Sequence, residues 1–180
     1  MIDFSSGVVV PFSDVMNDIR SGANKRVFRF EALQTYTVDD EAEDFEAFLR
    51  GEKPSADDMQ SWIEIIQGNE ARGVAMVRVR RICWPITDYT RFEIEWGYKF
   101  SQPAGEDIRF IDDEVYKTLF PSDFVLDYWL IDESIAYILI YDEVGRHVTN
   151  IRLAENLGYL VDHRNKIVAK SKAAANHSVW

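Results

Sequence analysis

The sequence predicts an α+β fold, a single domain in which a mixed or mainly antiparallel sheet is flanked by helices. Three observations carry this reading. The chain has 180 residues, the length of one domain. Two aromatic and β-branched runs, Phe124 to Ile131 and Ile135 to Tyr141, stand either side of Asp132-Glu133-Ser134 and read as an antiparallel hairpin. Apolar positions at helical spacing recur between the other strand-like runs.

In chain order, residues 1–24 form an N-terminal arm and a short helix. Ser13 caps that helix, Val15, Met16 and Ile19 share one side, and Gly22 ends it. Arg26 to Leu33 alternates as a strand. Val27 competes with Phe28 and Phe30 for the core, and Arg29 and Glu31 lie opposite the phenylalanines. Val38 to Leu49 spaces Ala42, Phe45, Phe48 and Leu49 as a helix, with acids at its positive end and Gly51 after it. Beyond the Pro54 loop, Ser55 or Asp57 caps a second helix carrying Met59, Trp62, Ile63 and Ile66.

Val74 to Trp84 alternates as a strand with one core face, and Pro85 stops it. After Thr87 or Asp88 as cap, Tyr89, Phe92, Glu93 and Trp96 follow helical spacing. Phe92, Ile94, Trp96 and Tyr98 also alternate, so a strand competes with the helix there. Pro103-Ala104-Gly105 turns the chain into a short strand, Asp107 to Ile111, and Asp112-Asp113-Glu114 caps a helical turn. After the hairpin and the turn at Glu143-Val144-Gly145, His147 to Leu153 adds an edge strand. Leu153, Leu157, Leu160, Val161, Arg164, Ile167 and Val168 then trace a helix face weakened by Gly158, and residues 174–180 are a polar tail.

Charge excludes some function classes. With 20 Lys+Arg against 31 Asp+Glu the net charge is −11, which opposes adsorption to nucleic acid or anionic lipid except at a local basic patch. The acids concentrate between Val38 and Glu64, where Asp39, Asp40, Glu43 and Asp44 offer a docking surface for a basic partner. A single cysteine, Cys83, rules out an internal disulfide and a thiolate-rich metal site, and a reducing cytoplasm fits it best. The N-terminus lacks a basic n-region, and Val8-Val9-Val10 is too short for an h-region or a membrane span.

Two arginines on one strand face, Arg78 and Arg80, project together and form the first candidate anion clamp; the competing reading pairs them with Glu93, Glu95 or the acidic helices. Glu93 with Glu95, and Glu106 with Asp107, are paired carboxylates of the kind acid/base chemistry uses, although solvated neighbours of this sort are common in an acidic chain. His147, His163 and His177 have no metal-ligand spacing. No Gly-x-Ser-x-Gly, Walker or Gly-x-Gly-x-x-Gly pattern occurs, so neither a metal nor a cofactor is expected. Trp84, Tyr89, Trp96, Tyr128 and Trp129 offer stacking surfaces but are read first as core.

The segments Phe28-Arg29-Phe30-Glu31-Ala32-Leu33-Gln34-Thr35-Tyr36, Arg78-Val79-Arg80, Asp88 to Trp96, Ala104 to Arg109 and Asp127 to Asp132 together resemble an uncharacterised domain family of actinobacteria, over about residues 25–170. Members of that family are often encoded near helix-turn-helix regulators, which implies a regulatory or interaction role. The matching polar residues, Arg78, Arg80, Asp88, Tyr89, Arg91, Glu93, Glu95, Glu106, Asp107 and Arg109, mark either a shared site or a salt-bridge network that fixes the fold. The His-x-Lys pattern of phospholipase D-like enzymes is not met, since His163-Arg164-Asn165-Lys166 has the wrong spacing.

Two functions follow as expectations. The first is a non-enzymatic cytoplasmic regulatory or interaction module that docks a basic partner such as a helix-turn-helix protein. The second is an enzyme acting on nucleic acid or a phosphate ligand, with Arg78, Arg80, Arg91 and Arg109 as clamp and Glu93, Glu95 or Glu106 as acid/base groups. The enzyme requires these residues to converge on an open pocket, whereas the module leaves them paired with each other or spread over a surface.

Overall fold

The computed structural model describes residues 4–55, 57, 59–120 and 126–174. The strand start at Phe124 and Val125, the acid Asp58, the histidine His177 and the tail beyond Ala174 lie outside the described residues. The elements are β1 (Val8–Val10), α1 (Phe12–Asn17, running on through a wide turn at Asp18–Gly22), β2 (Arg26–Glu31) and α2 (Ala42–Leu49), which is entered through a tight turn at Asp39–Glu41. There follow α3 (Gln60–Ala71), β3 (Ala75–Ile82), α4 (Asp88–Phe92), a π-turn at Glu93–Gly97, α5 (Tyr98–Ser101), β4 (Glu106–Asp112) and α6 (Asp113–Leu119). Last come β5 (Asp127–Ile131), β6 (Ile135–Tyr141), β7 (His147–Leu153), α7 (Gly158–Lys170) and β8 (Lys172–Ala173).

All eight strands form one mixed sheet in the order β1-β7-β6-β5-β2-β3-β4-β8, which is the α+β architecture expected. Connection length sets the strand directions. The links from β2 to β3 and from β3 to β4 contain helices and are long enough for parallel crossovers. The short links β5–β6 and β6–β7 give antiparallel pairs. Asp132 and Glu133 take left-handed backbone at the hairpin, and the Asp132 carboxylate accepts from the backbone N–H groups of Asn24, Lys25 and Arg26, tying the hairpin to the start of β2.

Both faces of the central strands are covered, which resolves the competition within β2. Phe28, Phe30, Val79, Ile111, Tyr128, Leu130 and Ile138 pack under Tyr116 of α6 and Leu160 and Ile167 of α7. Val27, Met76, Trp129, Ile131, Tyr137 and Leu139 face Val15, Ile19, Ile65 and Ile66 on the other side. Segment 88–101 is helical, because Tyr89, Phe92 and Trp96 pack together with Tyr36, Phe45 and Phe48; Thr87 caps it by accepting from Thr90 N at 3.0 Å.

Several expectations are corrected. β7 is not an edge strand, because β1 pairs along its outer side. Pro11, not Ser13, precedes α1. The second helix begins at Gln60, after Met59, and the Ser55 hydroxyl instead accepts from Asp57 N at 3.1 Å. Leu153 belongs to β7, and Gly158 opens α7 where only a helix start asks nothing of its side chain. β3 has no solvated face. Arg80 lies on the side covered by α3 and by the helical segment 88–101, with 0 % exposure.

Candidate ligand-binding site

Strand alternation and register bring Arg29 and Glu31 of β2, Arg78 and Arg80 of β3, Glu106 of β4, and Asp127 and Trp129 of β5 onto one face of the sheet. Arg29 lies beside Arg78 and Glu31 beside Arg80 across the parallel pair. Because helices cover this face, Arg29, Glu31, Arg80, Glu106 and Asp127 are buried. Buried charges persist only when paired and hydrogen-bonded. Glu31 is the centre of that pairing. It meets Arg78 Nη1, accepts from Arg80 Nη1 at 3.4 Å and from the Tyr98 hydroxyl at 2.6 Å, and lies 3.6 Å from Arg29 Nε.

The remaining partners extend the network outward. Arg78 Nε donates to Glu106 Oε1 at 2.9 Å, and Trp62 Nε1 donates to Glu106 Oε2 at 3.2 Å. Arg29 Nη2 donates to Asp127 Oδ2 at 2.9 Å, and Asp127 also accepts from Ala32 N and the Tyr36 hydroxyl. Arg80 Nη1 donates to Glu93 Oε2 at 3.3 Å, and the Tyr89 hydroxyl donates to Glu41 Oε2 at 2.7 Å.

A cavity of about 500 Å³ opens on this layer, within the range of small-molecule sites. Arg29, Glu31, Arg78 and Glu93 supply its charged wall, and Trp62, Trp129, Tyr36, Tyr89, Tyr98 and Tyr141 its aromatic wall. Phe12, Met16, Val38 and Met59, from three separate segments, also line it, and Phe12 and Val38 are exposed. The guanidinium of Arg78 lies 5.7 Å from the ring centres of Trp62, Tyr98 and Trp129, and that of Arg29 lies 5.3 Å from Trp129.

Five carboxylates, Glu31, Glu41, Glu93, Glu106 and Asp127, surround the three guanidiniums of Arg29, Arg78 and Arg80. Burial opposes ionisation of Glu31, yet Arg78, Arg80 and Arg29, with the Tyr98 hydroxyl, hold it at about 2. Burial, reinforced by the charge of Glu41, pushes Glu93 up to about 7 despite Arg80. Burial also raises Glu41 and Asp127 above the ordinary carboxylate range. Two buried donors, Arg29 Nη1 and Arg80 Nε, meet no acceptor among the described residues, and Arg29 is a wall residue of the cavity.

Of the residues singled out from sequence, Arg78, Arg80, Tyr89, Glu93 and Glu106 come together here. Arg91 and Glu95 do not: Arg91 pairs with Asp88 at 3.5 Å and Glu95 at 3.4 Å on the outer side of the helical segment. Asp107 and Arg109 are on the opposite face of β4 from Glu106, where Arg109 Nε donates to Ser171 Oγ at 2.8 Å and Nη1 reaches Asp107 at 3.4 Å. Asp39 and Asp40 are exposed on the turn before α2, Asp40 also lining the cavity and Asp39 lying 4.0 Å from Arg146, with Glu43 and Asp44 in the first turn of α2. Trp84 is exposed, Tyr128 lies in the core under α7, and Trp96 packs against Phe92.

Sequence reasoning missed Arg29, Glu31, Glu41 and Asp127 as members of the set. The available signal was β2 itself, where charged residues alternate with phenylalanines and the apolar Ala32 and Leu33 follow. No curated protein matches the chain. A family model described as a domain of unknown function, DUF6879, matches residues 14–178. That span contains every strand of the sheet except β1 and every residue of the charged network, and the chain belongs to the DUF6879 family.

Proposed function

We propose that this chain is a non-enzymatic regulatory module that binds a small organic molecule in the cavity against β2, β3 and β5. The cavity carries the reading: about 500 Å³ in volume, it sets Trp and Tyr rings against charged side chains of the buried network, the mixture of apolar wall and a few fixed polar groups that small-molecule sites present.

Charge balance weighs against the phosphate-processing enzyme. Arg78 and Arg80 are already engaged by Glu31, Glu106 and Glu93, so no surplus positive charge faces the cavity. The other two arginines of the expected clamp, Arg91 and Arg109, lie outside it. The acidic residues Asp39, Asp40, Glu43 and Asp44 begin at the cavity's edge, and Glu41 on the same turn is bonded to Tyr89 of its wall. This continuity supports a cytoplasmic module whose ligand occupancy is sensed by a basic partner, such as a helix-turn-helix regulator, docked on that edge.

The test is native mass spectrometry of the full chain after incubation with a small-molecule extract of its host. A retained adduct smaller than a peptide, lost in Met16→Trp, which fills the cavity from its wall, is the expected result. An extract that leaves no adduct on the wild-type chain overturns the proposal.

A further inference from the structure

Resting on that ligand-binding reading, we infer that the cavity takes a protonated amine, an ammonium head on an apolar body, and that the head pairs with the carboxylate of Glu93. The helical segment 88–101 builds the site. Tyr89, Glu93, Gly97 and Ser101 recur every four residues, and all of them line the cavity. In a regular α-helix that spacing drifts around the axis, and the wide turn at Glu93–Gly97 offsets the drift. Glu41 reaches the same place from the turn before α2, where its Oε2 accepts from the Tyr89 hydroxyl at 2.7 Å.

Charge selects the head. Glu31, Glu106 and Asp127 match the guanidiniums of Arg29, Arg78 and Arg80 one for one. Glu93 shares Arg80 with Glu31, and Glu41 has the Tyr89 hydroxyl as its partner, so these two carboxylates of the wall exceed the buried positive charge. Exposed Asp40 adds another at the rim. An anion meets this excess as repulsion and a neutral ligand leaves it standing, whereas a cation relieves it. Burial and the charge of Glu41 push Glu93 up to about 7, the mark of a carboxylate short of positive charge.

Hydrogen bonding selects an N–H cation. Glu93 Oε2 accepts from Arg80, while Oε1 has no donor among the described residues and, in a side chain 15 % exposed, is open to the cavity. Ser101 is only 2 % exposed, yet its hydroxyl also lacks a partner among the described residues and is not sealed off. Polar atoms left open on a cavity wall call for a polar guest. The faces of Trp62, Tyr98 and Trp129 already carry Arg78, so the rings do not hold a bare cation by themselves. The head therefore needs acceptors, which an ammonium uses through its N–H groups and a quaternary nitrogen does not. Phe12, Met16, Met59 and Leu139 give the body apolar surroundings.

The experiment is isothermal titration of the full chain with tryptamine and with phenethylamine, against isosteres that change only the head. Tryptophol and 2-phenylethanol replace the ammonium by a hydroxyl, N,N,N-trimethyltryptammonium keeps the charge without the N–H groups, and indole-3-acetate is an anion. At least one amine binds, and its isosteres bind tenfold or more weakly, the loss expected for a hydrogen bond between charged groups. Glu93 is faced by Glu31, Arg78, Arg80 and Glu41 and by the Tyr89 and Tyr98 hydroxyls, and the incoming positive charge shifts it toward its ionised form. Near pH 7 the amine therefore expels a fraction of a proton, read from heats in buffers of different ionisation enthalpy. Glu93→Gln, which keeps an acceptor for Arg80, weakens the amine by a similar factor and abolishes the release, while its thermal melt stays cooperative. Because the isosteres alter only the ligand, the outcome is readable even if the variant fails to fold. An isostere binding as tightly as its amine, amine binding without proton release, or a folded Glu93→Gln chain of wild-type affinity overturns the inference and leaves the binding module standing. The same holds if neither amine binds but the host extract leaves an adduct. If neither amines nor extract bind, both proposals fall.

Discussion

Arg80 is sealed from solvent and held by Glu31, Glu93, Tyr98 and Thr90, so its side chain is part of the folded structure before it is part of any site. Arg80→Met leaves Glu31 and Glu93 short of a countercharge in the interior, and stability falls by about 3–5 kcal/mol, measured by urea unfolding. A change below about 1 kcal/mol would mean that the network contributes nothing net. Glu93 predicts a pH effect of definite sign. Folded, it keeps its proton up to about 7, against 4.5 for the ordinary side chain, so between those values the folded state holds more protons and stability falls as pH rises. His163 acts oppositely. Burial, to which the charge of Lys166 adds, holds it at about 4 instead of 6.5, and stability rises with pH across that window. Glu93→Gln removes the falling component, so the urea midpoint climbs more steeply from pH 4.5 to 6.5 than in the wild type; an unchanged slope would show Glu93 ionised throughout. The pairing of Arg78 with Arg80 on one face was legible from alternation alone. Their burial was not, because alternation assigns a side of the sheet without saying whether helices cover it.

At the level of elements, the β6–β7 turn determines where Tyr36 stands. Gly145 has φ +78°, its carbonyl accepts from Thr37 N at 2.9 Å, and an added Cβ would lie 2.6 Å from Thr35 O. Gly145→Ala meets both a left-handed backbone and a backbone clash, with an expected loss of about 1–3 kcal/mol in urea unfolding and a displaced Tyr36 ring that perturbs the near-ultraviolet circular dichroism. A wild-type midpoint would show that the 35–37 segment is free to move away. The β5–β6 hairpin and the helical nature of 38–49 could be read from sequence because their signals are local, turn residues and apolar spacing, whereas 88–101 fits helical and alternating spacing alike and is decided by packing on Tyr36, Phe45 and Phe48. β1 and β8 could not. Strands of three and two residues have no periodicity of their own and exist through their partners, Asn150–Arg152 of β7 and Arg109–Phe110 of β4. The parallel direction of β2, β3 and β4 is likewise a tertiary outcome, set by the helices that must fit between them.

Across the whole molecule, stability is graded from the middle of the sheet outward. β2 and β3 are paired on both sides and covered on both faces, whereas β1 and β8 are short edges, with Val8 and Val9 exposed. Amide hydrogen exchange is therefore slowest in Phe28–Phe30 and Val77–Arg80 and fastest in β1 and β8. Equal protection of β1 and β2 would contradict the gradation. The alternating hydrophobic pattern located the layer that holds Phe28, Phe30 and Val79, but it gave β3 a single core face and so did not foresee the layer that holds Val27 and Met76. The charged patch between them and the helices was hidden by its own composition, since in an acidic chain a glutamate beside an arginine ordinarily signals surface. The edge contact between Trp62 and Trp129 has an optical consequence. At 5.9 Å and 61° between planes, the two indoles form a skewed chromophore pair whose transition moments couple into an exciton. Such a pair contributes two circular-dichroism lobes of opposite sign, which vanish together when either indole is replaced by phenylalanine. The protein thus carries a built-in ruler for the distance between α3 and β5.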